Sequence, residues 1–141
     1  MSNAFSFFMP MKPPTVTHQD KAVRVVKGKP VFYEPPALAD ARQKLTAHLA
    51  QHRPEKPLTG ALRLTVYWHF WTDDPAREGA YRTTKPDTDN LQKLLKDCMT
   101  TLHYWKDDAL VVSDLCTKLW AHKLPGIFIA IDQLEQGNGE A

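Results

Sequence analysis

The chain has 141 residues, of which 43% are hydrophobic and 24% are charged, so it is long enough for one domain whose core needs no cross-links. Its two cysteines exclude a disulfide framework, and it shows neither a signal peptide nor an apolar run long enough to cross a bilayer, so we expect a cytoplasmic protein with no membrane partner. The formal net charge of +2 is too small to indicate a nucleic-acid partner by itself.

Residues 1–33 predict a strand followed by a hairpin. The apolar run Phe5–Met9 predicts the strand, and residues 1–4 in front of it resemble the remnant of an expression tag. Val23–Val26 and Val31–Tyr33 flank a Lys-Gly-Lys-Pro segment, which is typical of a hairpin with a basic tip.

A helix and the clearest strand of the chain follow. The helix is expected to begin at Pro35-Pro36, because proline is tolerated in a first helical turn, and to end before Pro54. Its apolar residues recur at helical spacing and are Leu38, Ala41, Leu45 and Leu49. From Leu62 to Phe70 apolar and polar residues alternate, which predicts a strand with one buried face.

The second half of the chain predicts one more helix and two more strands. A polar loop, residues 72–85, leads to a helix that Asp89 could cap. The apolar stripe of this helix comprises Leu91, Leu94, Leu95, Cys98, Met99 and Leu102. Strands are expected near Leu110–Trp120 and Gly126–Leu134, and residues 135–141 indicate a flexible tail. This order of elements predicts a single α+β domain, of a small α/β type, with a mixed sheet and two main helices.

The segment Lys85–Lys93 contains the candidate metal-binding and catalytic residues. Asp87 and Asp89 lie two residues apart in front of the second helix, and aspartates this close repel each other unless a cation lies between them. Mg²⁺ favours carboxylate oxygens, although an Asp-x-Asp pair occurs more often in helix caps and turns than in metal sites. Lys93 could contact a phosphate or form an ordinary i,i+4 ion pair with Asp89.

Two stretches of this sequence form a distinctive pattern. The first is Asp87–Lys93, with the sequence DTDNLQK. The second is Tyr104–Ala109, with the sequence YWKDDA, followed by Val111-Val112 and Asp114. In their residues and in their spacing, with one helix between the two acidic clusters, these stretches resemble the RusA family of Holliday junction resolvases.

The resemblance implies a RusA-like fold over residues 1–141 and a specific activity. Members of the family are homodimers that nick four-way DNA junctions in symmetric pairs during recombination and repair. They use Mg²⁺, for which Mn²⁺ can substitute, and are often encoded by phages or prophages. Their catalytic and metal-binding aspartates match Asp87, Asp89 and Asp108, and their important lysine matches Lys93.

Basic and aromatic side chains supply candidate contacts to DNA. The predicted contacts to the DNA backbone are Lys12, Arg24, Lys27, Lys29 and Lys85. Each of them could instead be ordinary solubilising surface charge. Trp71 and Tyr81 border the polar loop and could either stack on unpaired bases or pack under the loop.

Two other functions remain open at this level. A structure-selective DNA-binding module with little or no cleavage would carry the same basic residues, but the presence of every matching aspartate argues against it. A metal-dependent phosphatase or sugar-nucleotide transferase could also use Asp-x-Asp, but there the motif usually follows a buried strand directly. His48 and His52 lack a zinc motif, and Cys98 and Cys116 fit packed positions better than nucleophilic ones.

Overall fold

The computed structural model describes residues 3–17 and 22–135, which form a four-stranded sheet, a separate hairpin and two helices. The strands are β1 (Asn3–Pro10), β2 (Ala22–Val26), β3 (Lys29–Tyr33), β4 (Leu62–Trp71), β5 (Val111–Ala121) and β6 (Gly126–Gln133). The helices are α1 (Pro36–Ala50) and α2 (Thr88–Thr101), with short 3-10 turns at Pro75–Arg77 and Asp108–Leu110. The predicted α+β fold, with a mixed sheet and two main helices, is confirmed.

The main sheet is mixed and has the strand order β1-β6-β4-β5. Strands β1 and β4 run antiparallel to β6, whereas β4 and β5 run parallel to each other. Parallel neighbours need a crossover connection, and α2 supplies it between β4 and β5. This β4–α2–β5 unit sets the position of Asp87 and Asp89, because both lie where the chain enters α2.

One face of the sheet is buried against the helices. Along β4 buried and more exposed residues alternate, and Trp68 and Phe70 are buried as predicted. The predicted stripe of α1 is buried at Leu38, Ala41, Leu45 and Leu49. The stripe of α2 is buried at Leu91, Leu94, Leu95, Cys98 and Met99. Because each large apolar side chain contributes about 1.5–3 kcal/mol when fully buried, this single core holds α2 against the sheet.

The predicted hairpin is confirmed as β2 and β3, which pair antiparallel. Lys27 and Gly28 form its tip and have positive φ angles of 53° and 77°. A two-residue hairpin turn with positive φ at both positions is a type I′ turn, and this requirement explains the glycine at the second position.

The two ends of the chain lie partly outside the described residues. Strand β1 begins at Asn3, inside the segment 1–4 that resembles a tag remnant. Of the predicted tail, residues 135–141, only Glu135 is described. Within the described ranges, no helix is long and apolar enough to span a bilayer.

Candidate functional site

The entry of the chain into α2 fixes Asp87 and Asp89. Asp87 is the N-cap, with φ −77° and ψ 150°, so the prediction that Asp89 caps this helix is wrong by two residues. The Asp87 carbonyl accepts a hydrogen bond from the Leu91 N–H at 3.1 Å, but its side chain makes no capping bond. Both carboxylates are exposed at the positive end of the helix dipole, where negative charge is favoured.

The side chains of Asp87, Asp89 and Asp108 share one property. Within residues 3–17 and 22–135, no hydrogen bond or ion pair engages any of these three carboxylates. Four other aspartates are paired with basic side chains: Asp40 with Lys44, Asp74 with Arg77, Asp97 with Lys93, and Asp114 with Lys96. The oxygens of the three predicted ligands are therefore available to a cation.

Asp108 does not lie beside Asp87 in one chain. Helix α2 runs against the direction of β5, because Lys118 contacts Pro86 before the helix while Asp114 contacts Lys96 inside it. Asp108 precedes the first residue of β5, at the opposite end of this unit. At about 3.3 Å per residue, the part of β5 from its first residue to Lys118 spans roughly 23 Å. In the described part of the chain, no group of three or more His, Cys, Asp or Glu side chains is placed to hold a metal.

Asp87 and Asp89 face two different hollows of the surface. The hollow beside Asp89 is lined by Thr88, Gln92, Lys93, Lys96, Asp114 and Cys116. The hollow beside Asp87 is lined by Thr15, Val16, Thr17, Lys85, Pro86 and Asn90. The acidic residue that shares a hollow with Asp89 is therefore Asp114 rather than Asp108.

A polar chain runs from the core to this surface. The buried indole N–H of Trp68 donates to Gln92 Oε1 at 2.9 Å, and Gln92 Nε2 donates to Asp114 Oδ1 at 2.5 Å. Lys96 Nζ lies 2.9 Å from Asp114 Oδ2 and completes the chain. Sequence reasoning did not assign this network. Its only sequence signal is that Gln92 lies three and seven residues before Leu95 and Met99, on the apolar face of α2.

Lys93 is exposed on the face of α2 that points away from the core. Its ammonium lies 3.8 Å from Asp97, so the predicted alternative of an Asp89–Lys93 ion pair is wrong. The Lys93 side chain is 78% exposed. A solvent-exposed ion pair contributes about 0–1 kcal/mol to stability, so the Lys93 ammonium can exchange Asp97 for another anion at little cost.

The predicted DNA contacts are spread over several elements. Lys27 is exposed at the hairpin tip, Lys29 is exposed beside it at the start of β3, and Lys85 is exposed two residues before Asp87. Lys12 is exposed and its ammonium lies 4.4 Å from the centroid of the Trp71 ring. Arg24 lies in β2, but its side chain falls outside the described residues.

Tyr81 does not pack under the polar loop, because it is 74% exposed. Its backbone forms an isolated bridge with Leu119 of β5. Hydrogen bonds from Gly79 N–H to Trp120 O at 2.9 Å and from Trp120 N–H to Ala80 O at 2.8 Å hold the same segment. The ring is thus displayed to solvent from a fixed backbone.

His52, Cys98 and Cys116 take part in packing. The His52 ring lies just past the end of α1, so its expected place on a face of that helix is wrong, and it stacks on Phe7 with ring centroids 4.5 Å apart. Cys98 is buried in the core, and burial raises the pKa of its thiol. Burial also raises the pKa of Cys116 to about 11. Neither thiol is therefore poised as a thiolate nucleophile at neutral pH.

The chain is similar in sequence to known endodeoxyribonucleases. Residues 10–132 match the family described as "Endodeoxyribonuclease RusA". The chain is also similar to a protein of Lactococcus phage r1t named "Crossover junction endodeoxyribonuclease rusA". The two are 32% identical over 110 residues, which cover 77% of this chain and 82% of the phage protein.

Proposed function

Because this chain belongs to the RusA family of endodeoxyribonucleases, we propose that it resolves Holliday junctions with Mg²⁺ by symmetric pairs of nicks. As a member of this family it is a nuclease, a hydrolase of DNA phosphodiester bonds. One observation supports the mechanism above all. Asp87 and Asp89, whose carboxylates have no partner among the described residues, lie at the start of α2, and Lys93 is exposed one turn further on.

The donor atoms at this site fit a divalent metal ion. Mg²⁺ is commonly held by one or two carboxylates and completes its shell with water and substrate phosphate oxygens, so a pair such as Asp87 and Asp89 is a usual protein contribution to such a site. Mn²⁺ accepts the same oxygen ligands and is expected to substitute. When bound, the ion would neutralise charge on the scissile phosphate and act as a Lewis acid in its hydrolysis.

The chain's own residues would orient the DNA for this step. Asp87 and Asp89 would hold the ion at the helix N-terminus, where the backbone of α2 fixes them. Lys93 would leave its open contact with Asp97 and stabilise negative charge that develops on the phosphate. Asp108 is proposed as a third ligand, although in a single chain it lies at the far end of β5.

A homodimer would match the symmetry of the substrate. A four-way junction offers equivalent strands related by a two-fold axis, and a C2 dimer presents two sites related in the same way. The second copy would also offer a second Asp108, at a position that the geometry of one chain does not supply. We infer that such a dimer acts on DNA in the cytoplasm.

The basic side chains would hold the junction through its backbone. We propose that Lys12, Arg24, Lys27, Lys29 and Lys85 contact phosphates. Phosphate contacts give affinity that falls as salt rises, so charge-removing variants should flatten the salt dependence of junction binding without changing cleavage positions.

Changing Tyr81 to alanine should weaken junction binding about tenfold and leave the unfolding temperature unchanged. The ring is 74% exposed, so its removal leaves no cavity, whereas stacking of a base on an aromatic ring contributes about 1–3 kcal/mol. The measurement is a fluorescence anisotropy titration of a four-way junction, with Tyr81→Phe as the variant that retains the ring. Equal affinities of the alanine and phenylalanine variants would show that no base stacks there.

One experiment distinguishes the proposed resolvase from the alternative function, a junction-binding module with negligible cleavage. The purified chain is mixed with a synthetic four-way junction in Mg²⁺, beside a linear duplex. Paired symmetric nicks on the junction alone are the expected result. Tight junction binding without cleavage in Mg²⁺ or Mn²⁺ would favour the binding module and reject the proposed catalysis.

A further inference from the structure

We propose that Lys118 and Arg82 are positioning residues for the nuclease reaction, because together they hold the backbone segment that leads into Asp87. This inference rests on the proposed function of Asp87 as a metal ligand. Neither residue belongs to the segments that resemble the family motifs, and neither is expected to touch the DNA phosphate that is cut.

Three consecutive carbonyl groups in front of Asp87 accept hydrogen bonds from these two cationic side chains. Lys118 Nζ donates to Thr84 O at 2.8 Å and to Pro86 O at 2.7 Å. Arg82 Nη2 donates to Lys85 O, between them, at 2.5 Å. Hydrogen bonds from charged donors are stronger than those between neutral groups, so this clamp holds the segment more firmly than an ordinary loop contact.

Both cations are anchored to the sheet. Lys118 lies on β5 directly opposite Trp68 of β4, in the parallel part of the sheet. The Arg82 guanidinium lies 4.5 Å from the ring centroids of Phe70 and of Trp120. The Arg82 N–H also donates to Lys118 O at 3.0 Å, which ties the two members of the clamp together. This clamp, formed by Lys118 and Arg82, therefore fixes the segment before Asp87 relative to the rigid strands of the sheet.

The backbone of Asp87 determines which positions its carboxylate can reach. Its side chain makes no capping hydrogen bond, so no neighbouring group in the described residues aims it. The backbone is fixed downstream by α2, through the bond from Leu91 N–H to Asp87 O. Without the clamp, the upstream side would be the end of a polar surface loop, and such loops are the mobile parts of a domain.

The test compares Lys118→Met, which keeps the aliphatic stem and removes the ammonium, with Lys118→Arg and with Lys44→Met. Lys44 is an exposed lysine of α1 paired with Asp40, so its variant controls for the chemical change alone. Three quantities are measured: amide hydrogen exchange over residues 82–91 without metal or DNA, Mn²⁺ binding by electron paramagnetic resonance without DNA, and kcat and KM on a four-way junction in saturating Mg²⁺.

We expect Lys118→Met to speed exchange in residues 82–91 only, to weaken Mn²⁺ binding, and to lower kcat roughly 10- to 100-fold with little change in KM. Lys118→Arg should recover part of each loss, and Lys44→Met should match the wild type. Faster exchange throughout the chain would mean general destabilisation and would overturn the inference. Wild-type exchange, Mn²⁺ affinity and kcat in Lys118→Met would overturn it too. The exchange and Mn²⁺ measurements need no cleavage, so a wild-type chain that cuts no junction would reject the proposed function separately.

Discussion

Replacing Asp87 or Asp89 with asparagine should lower the rate of junction cleavage about a thousandfold and leave the fold and the DNA affinity intact. Asparagine keeps the size of the side chain but loses the charge that holds a divalent cation. A bound metal ion stabilises the transition state by several kcal/mol, and each 1.36 kcal/mol is a factor of ten in rate. The measurements are the single-turnover rate in Mg²⁺, the thermal unfolding temperature, and junction binding in EDTA.

The folded state should tolerate both changes because neither carboxylate has a partner in the described chain. Asp40→Asn is the matched control, since it makes the same chemical change in an exposed pair with Lys44 on α1. It should cleave at the wild-type rate. Full metal-dependent cleavage by Asp89→Asn would falsify the assignment of the metal ligands.

Asp108 allows a second experiment, which tests whether each active site is built from one chain or from two. Asp108→Asn alone should be as inactive as Asp87→Asn if all three carboxylates act together. Mixing the two inactive chains then separates two arrangements. If each site takes Asp108 from the second copy, a mixed dimer contains one intact site and should nick one strand. If each site is built from one chain, every mixed dimer stays inactive.

Much of the fold could be predicted from the sequence because buried apolar residues recur at one spacing in a strand and at another in a helix. Leu62 to Phe70 alternate with the period of a strand that has one buried face, and the core lies on that face. The apolar stripes of α1 and α2 repeat at helical spacing, and their buried apolar residues were predicted, although Leu102 lies half-buried past the end of α2 and the buried Gln92 was not expected. The cap of α2 was misplaced because Asp87 and Asp89 are equally good cap residues by type, and only the tertiary path of the chain selects between them.

The surroundings of the site could not be predicted from spacing. Asp114 and Lys96 are far apart in sequence, and they meet only because α2 crosses back over the sheet. Lys118 reaches the carbonyl of Pro86 for the same reason. The position of Asp108 also follows from this crossover, since a helix of 14 residues is about 21 Å long and carries the chain to the other end of β5. The family resemblance predicts which residues act in catalysis, and the topology determines which groups each of them contacts.

Gln92→Leu should lower the free energy of unfolding by about 3 kcal/mol. Gln92 is 4% exposed and is the acceptor for the indole N–H of Trp68, which is fully buried. Leucine fills a similar volume but leaves that donor without an acceptor, which costs about 1–3 kcal/mol, and it removes the bond to the charged Asp114 as well. The measurement is equilibrium unfolding in urea, in which the midpoint should fall while the slope stays constant.

Gln43→Leu provides the control for this prediction, because Gln43 is exposed on α1 and its replacement should change stability by less than about 0.5 kcal/mol. Equal midpoints for the two variants would show that the polar chain from Trp68 to Lys96 contributes nothing to folding. A loss confined to Gln92→Leu would mean that α2 is held by the network as well as by its apolar face. The position of the helix that carries Asp89 and Lys93 would then depend on the buried amide of Gln92, which the apolar pattern of the sequence does not reveal.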